Sequence, residues 1–202
     1  MVRIVASAHR RGSHARLLRI IGGTWRGRRL RFTASADIRP TPDRVRETLF
    51  NWLAGRVSGA RCLDLFAGSG ALGLEALSRG AAHVQFVERH AEAARELGSL
   101  LVAWGAHNAA VRRAEALGFL AGTAEPFDLV FLDPPFDTDL IGRAAARLEG
   151  GGWLAPRALI YVECAARAGL PTLPAAWAPL KAKTAGEVGY HLLERSDIGE
   201  SK

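Results

Sequence analysis

Cysteine is scarce in this 202-residue chain: Cys62 and Cys164 are the only two, and both sit within apolar runs. One pair defines neither a disulfide framework nor a zinc-ligand spacing, which argues against a small secreted scaffold and a zinc module and places both thiols in the core. No apolar stretch approaches the roughly 18 residues of a membrane span. Arginine interrupts the first residues, MVRIVASAHRRGSHARLLR, too early for a secretory leader, so a cytoplasmic protein is expected. Internal repeats and low-complexity tracts are missing as well. What remains is 49% hydrophobic and 23% charged residues, the composition of a well-cored globular chain. A chain of this size buries roughly 70% of its unfolded surface and needs no covalent staple.

Lysine is nearly absent, with three among 27 basic residues, and the arginines that replace it are unevenly spread. Residues 1–60 carry a net +10 and residues 61–202 a net −3. The planar guanidinium fork binds phosphate bidentately, so an arginine-rich segment joined to a near-neutral body points to an anionic polymer, most simply nucleic acid.

Along the chain, residues 1–18 read as a ragged basic extension. Arg19 to Phe32, broken by Gly-Gly and Arg-Gly, reads as a hairpin-like unit that buries Ile20, Ile21, Leu30 and Phe32 and turns arginine outward. Next, Thr41 is expected to cap a helix with Pro42 in its first position, Val45, Leu49, Trp52 and Leu53 on its buried stripe, and Arg44 and Arg46 off it. From residue 61 onward short apolar runs alternate with helical segments. Strands are expected at 61–66, 83–87, 110–113, 127–132, 158–163 and 189–193, with a weaker one at 180–183, and helices at 71–79, 91–104, 116–120 and 140–148. This alternation implies right-handed βαβ crossovers and a mostly parallel sheet covered on both faces, with an antiparallel edge at the end.

The first of those strands runs into LDLFAGSGALGLEAL, where Gly68, Gly70 and Gly73 form a tight turn before a helix. Such a turn brings backbone close to a nucleotide-like ligand. Eighteen residues beyond Gly70, Glu88 closes the next strand, where a carboxylate can accept both ribose hydroxyls. These two features suit NAD and S-adenosylmethionine equally. Asp64, four residues before Gly68, separates them: a pyrophosphate there would meet a carboxylate, whereas an ammonium and a sulfonium are attracted by one.

The strand FDLVFL ends in Asp133-Pro134-Pro135-Phe136. Two prolines remove two donors and stiffen the chain, leaving carbonyl acceptors beside the Asp133 carboxylate and the flat face of Phe136. Acceptors beside an aromatic plate are what the exocyclic amine of a nucleobase requires: hydrogen bonds for its protons and a stack for its ring. Asp133 is also placed to take a proton, without having to be a strong base, because an aryl amine becomes acidic once methylated.

Together, Asp64-x-Phe66-x-Gly68-x-Gly70, Glu88 and Asp133-Pro134-Pro135-Phe136 resemble the class I S-adenosylmethionine-dependent amino-methyltransferases. The segments RIIGGTWRGRRL at 19–30, RPTPDRVRETLFNWL at 39–53 and KAKTAGEVGYHLL at 181–193 narrow the resemblance to the RsmD family, which methylates the N2 amino group of a guanine in small-subunit (16S) ribosomal RNA. The resemblance implies a Rossmann-like α/β fold, a seven-stranded sheet with one antiparallel strand, helices on both faces, a small basic N-terminal unit over 19–57, a methyltransferase domain over 58–202, no metal, and a monomer. It assigns Asp64, Phe66, Ala67, Gly68, Ser69 and Gly70 to the methionine part of S-adenosylmethionine, Glu88 with Arg89 to the ribose, and Glu115 with Ala116 to the adenine. Asp133, Pro134, Pro135 and Phe136 take the base, with Asp133 also bordering the cofactor. Arg26, Arg28, Arg29, Arg39, Thr41, Arg44 and Arg46 fall to the RNA, either 16S ribosomal RNA or a partly assembled 30S subunit. Glu115 departs from the pattern, which has Asp there. The Asp-Pro-Pro-Phe chemistry would serve adenine N6 or cytosine N4 as well. A non-catalytic RNA-binding assembly factor is a further alternative, and an NAD-dependent oxidoreductase would leave Asp64, the Asp133 tetrapeptide and the basic segment unused.

Overall fold

The computed structural model describes residues 15–33, 41–136 and 138–196. A two-stranded antiparallel hairpin, β1 (Ala15–Arg19) and β2 (Arg29–Thr33), precedes helix α1 (Asp43–Trp52). Strand β1 thus starts four residues inside the segment expected to be ragged, because Leu18 and Ile20 are buried and hold that end of the chain down.

The body follows as β3 (Arg61–Asp64), α2 (Ala71–Ser78), β4 (His83–Glu88), α3 (Ala91–Ala103), β5 (Ala109–Arg113), α4 (Ala116–Phe119), β6 (Phe127–Leu132), α5 (Leu140–Gly150), β7 (Leu154–Ala165), β8 (Trp177–Ala185) and β9 (Val188–Arg195). The strands form one seven-stranded sheet in the order β5-β4-β3-β6-β7-β9-β8. Strand β9 runs antiparallel to both of its neighbours, while the β5-β4-β3-β6-β7 ladders are parallel. This is the Rossmann-like arrangement with one antiparallel strand. The order reverses beside β3, which opens a crevice at the carboxyl ends of β3 and β6.

Alternate residues feed two separate cores, as the period of a pleated strand requires. Cys62, Val84, Phe86, Leu129 and Phe131 pack with α1, α2 and the hairpin on one face. Leu63, Val87, Val130, Leu132 and Cys164 pack with α4 and α5 on the other. Both cysteines are buried thiols, and burial pushes Cys62 up to about 12. Gly73, in the first turns of α2, is held glycine by this packing, since a Cβ there would stand 2.2 Å from Cε1 of Phe86. Among the described residues no helix is long and apolar enough to cross a membrane.

The hairpin is fastened to the body by Glu75 of α2, a fully buried carboxylate. Its Oε2 accepts from the Ile21 amide (2.9 Å) and its Oε1 from the Gly22 amide (2.8 Å) and from Arg79 Nε (3.0 Å). Arg46 Nη1 reaches Oε2 at 3.4 Å, and the same guanidinium donates to the carbonyls of Arg19 and Thr41 and to Asp43. Arg46 was expected off the buried stripe and on the RNA. That expectation is corrected: with no exposed surface and every side of its fork engaged, Arg46 is a structural cation that Glu75 draws into the interior. Arg44, by contrast, lies exposed on α1.

Candidate active site

Four carboxylates gather where β3, β4, β6 and β7 end or pass the crevice. Asp64 closes β3 at 3% exposure, and its Oδ2 accepts from the Gly73 amide at 3.0 Å. Burial pushes this carboxyl up to about 7, against the lowering by that amide, and the nearby Glu88 charge raises it further. Between Asp64 and Gly73 the chain turns through Gly68 and Gly70, both at positive φ. A Cβ on Gly70 would also stand 2.6 Å from Leu97 Cδ1, so α3 packs hard against the turn.

Glu88 closes β4, and it seals this turn rather than sitting as a solvated strand end. Its Oε2 accepts from the Gly68 amide at 2.8 Å and its Oε1 from the His90 amide at 2.7 Å. Each oxygen keeps a second lone-pair direction for an incoming hydroxyl. Ala67 and Ser69 are buried in the turn, and Phe66 is half-buried against the α4–α5 side of the core. Arg89 is exposed and turns to the His90 ring at 3.1 Å. The amide of Ala114 donates to the Glu88 carbonyl, which brings the exposed Glu115 and the buried Ala116, at the start of α4, to the same rim.

Asp133 follows β6 directly, with Pro134 buried, Pro135 exposed and Phe136 38% exposed at the rim. The Thr138 hydroxyl donates to the Pro135 carbonyl at 2.7 Å and braces the turn. Burial, then the Glu163 and Asp64 charges, push Asp133 well above the ordinary carboxylate range, while a hydroxyl bond from Thr41 pulls the other way. The expected cofactor acids and the Asp133 tetrapeptide therefore share one crevice.

Thr41 was expected to cap α1 and to face RNA. Instead Pro42 stands at the cap with no side-chain bond, and the Thr41 hydroxyl points inward, 3.0 Å from Glu163 Oε1 and 3.4 Å from Asp133 Oδ2. At 6% exposure it belongs to the floor of the crevice, a correction that follows from two buried carboxyls within reach of its hydrogen. Arg39 lies outside the described residues. Arg26, Arg28 and Arg29 are exposed on the hairpin, and the Arg28 guanidinium lies 5.4 Å from the ring centroid of Trp104, at the far end of α3 from Glu88.

Sequence reasoning missed Glu163 and Tyr161. The Tyr161 hydroxyl donates to Glu163 Oε1 at 2.8 Å, both side chains being buried. The available signal was a single acid in the apolar run ALIYVECA, which was read as the end of a strand that in fact continues to Ala165.

Known proteins can be set beside this geometry. Residues 18–194 match the family described as "Conserved hypothetical protein 95". Over 184 residues the chain is 51% identical to ribosomal RNA small subunit methyltransferase D of Escherichia coli K12, covering 91% of this chain and 93% of that one. The chain belongs to the RsmD family. A second RsmD protein, from Haemophilus influenzae, is 46% identical over 181 residues, covering 88% of this chain and 93% of the relative. The solved Escherichia coli structure yhhF superimposes with a TM-score of 0.83 at 50% identity, covering 89% of this chain and 98% of that one. The family match, residues 18–194, takes in most of the hairpin as well as the sheet.

Proposed function

We propose that this chain transfers a methyl group from S-adenosylmethionine to the exocyclic N2 amine of a guanine in small-subunit ribosomal RNA, in the cytoplasm, on 16S RNA or a partly assembled 30S particle. The observation that carries the reading is the placement of Asp133-Pro134-Pro135-Phe136 at the end of β6, in the same crevice as the glycine turn sealed by Asp64 and Glu88. The donor set fits the cofactor: Asp64 is a carboxylate that burial raises to about 7, and a ligand bearing an ammonium and a sulfonium would compensate its charge. Asp64 and the turn through Gly70 would hold its methionine part, Glu88 its ribose, and the Glu115–Ala116 rim its adenine. When bound, it supplies an electrophilic methyl on sulfur.

The chain's own residues then orient the amine. Asp133 accepts one N–H, the stiff Pro134-Pro135 backbone offers a carbonyl for the other, and Phe136 covers the ring, which leaves the nitrogen lone pair facing the cofactor. Holding two reactants in line supplies several kcal/mol of the barrier. A base in a duplex is out of reach, so the target guanine is read from a loop or turned out of its stack.

The test is methyl transfer from labelled S-adenosylmethionine to 16S RNA and to 30S particles lacking the modification, with the product nucleoside identified by mass. N2-methylguanosine at one site is expected. A methyl on adenine N6 or cytosine N4 would overturn the base assignment, and cofactor binding without transfer to either substrate would overturn the reaction. The basic face is tested separately. Replacing both Arg44 and Arg29 by alanine is expected to lower the slope of log affinity for RNA against log salt by about 1 to 2. Cofactor affinity, read by calorimetry, stays within about twofold, and an unchanged salt slope would remove these arginines from the RNA face.

A further inference from the structure

Beneath Asp133 lies a second carboxylate that the methyl-transfer reading does not use. Glu163 is 2% exposed and sits inside the β7–β9 ladder, directly opposite Tyr190. Two hydroxyls converge on its Oε1, from Tyr161 at 2.8 Å and from Thr41 at 3.0 Å, and the Thr41 oxygen is also 3.4 Å from Asp133 Oδ2. A hydroxyl has one hydrogen, so Thr41 can donate to only one of the two carboxyls at a time. A single bridging atom therefore joins them.

The polar and charged groups facing the pair are Asp64 from β3, Tyr161 on β7 and Tyr190 from β9. Arg46 of α1 donates to the Thr41 carbonyl, but its charge is engaged by Glu75 and Asp43. The cluster is thus rich in carboxyls and largely buried, the setting in which neighbouring carboxyls alter each other's hold on a proton.

We propose that Glu163 is a positioning residue for methyl transfer, fixing Asp133 through the Thr41 hydroxyl and setting how firmly Asp133 holds a proton. This rests on the proposed role of Asp133 toward the amine. In the transfer step the carbon–sulfur bond breaks with its electron pair remaining on sulfur, and the amine lone pair forms the carbon–nitrogen bond. The nitrogen, now positive, releases one of its two original protons to Asp133, which passes it to solvent. Only ionised Asp133 can take the amine's proton; protonated, it presents a hydrogen that competes for the lone pair. The Glu163 charge opposes ionisation of Asp133 and strengthens it as a proton acceptor, whereas the Thr41 bond favours ionisation.

Two variants of the full chain move this balance in opposite directions. Glu163→Gln keeps the volume and an acceptor for Tyr161 and Thr41 while removing the charge, and Thr41→Val removes the bridging hydrogen. The Asp133 carboxyl is followed by carbon-13 NMR titration without cofactor or RNA, its signal assigned from its loss in Asp133→Asn. The midpoint is expected to fall by roughly one pH unit in Glu163→Gln and to rise in Thr41→Val. The acid limb of kcat shifts in the same direction as each midpoint. A folded Glu163→Gln variant, judged by circular dichroism and unchanged S-adenosylmethionine affinity, whose midpoint and acid limb both stay put would overturn the proposal. Moving midpoints in a protein whose wild type transfers no methyl group would overturn the proposed reaction instead.

Discussion

Replacing Asp133 by alanine is expected to lower kcat by about 10²- to 10⁴-fold while changing the affinity for S-adenosylmethionine by no more than a few-fold. The asymmetry follows from position. Asp133 leaves β6 beside the exposed Phe136, whereas the turn that would hold the cofactor is closed by other groups, Asp64 on the Gly73 amide and Glu88 on the Gly68 and His90 amides. Removing Asp133 frees the amine to rotate and takes away its proton acceptor, but it leaves those three hydrogen bonds intact. Single-turnover rates and calorimetric titration with the cofactor separate the two quantities. Equal losses in both would move Asp133 from the amine to the cofactor.

The largest loss of stability is expected from Glu75→Ala, about 3–5 kcal/mol in denaturant unfolding. This side chain meets two guanidinium groups and two backbone amides at once, and its removal leaves Arg46 charged and fully buried beside the orphaned amides of Ile21 and Gly22. The exposed pair Arg143–Asp139 makes the contrast: breaking it is expected to cost about 0–1 kcal/mol, because water takes over both partners. Hydrogen exchange in β1 and β2 of Glu75→Ala is expected to rise ahead of exchange in the seven-stranded sheet. A loss below about 1 kcal/mol, or hairpin amides as protected as before, would show that the apolar contacts of Leu18, Ile20, Leu30 and Phe32 hold the unit without Glu75.

The sheet was legible because its strands carry their own punctuation. Phe127–Leu132 is bounded by proline on both sides, and the turn at Gly68 and Gly70 announces both the end of β3 and the start of α2. Asp64 and Glu88 were legible for the same reason, each standing at a strand end where side chains meet the crevice. Arg46, Thr41 and Glu163 were not. Helical periodicity puts Arg46 on the same face as Leu49, Phe50 and Leu53, but a charge there reads as solvated until the three-dimensional approach of α2 supplies the buried carboxylate that meets it. Thr41 has the sequence context of a cap, but its partners Asp133 and Glu163 are 92 and 122 residues away, a separation that local pattern cannot register. Glu163 reads as a strand end because a charge inside a buried strand is costly unless donors wait for it; one donor, Tyr161, stands two residues away on the same strand face, but the other, Thr41, comes from far along the chain.

Arg28 rests on Trp104 at one end of α3, while Glu88 and the glycine turn stand at the other. A helix of 13 residues is about 20 Å long, which is roughly half a turn of a nucleic-acid double helix. The exposed arginines of the hairpin and the glycine turn are therefore set apart by a full helix length. On the proposed reading, a ligand that filled only the crevice would leave the Arg28 end of α3 uncovered.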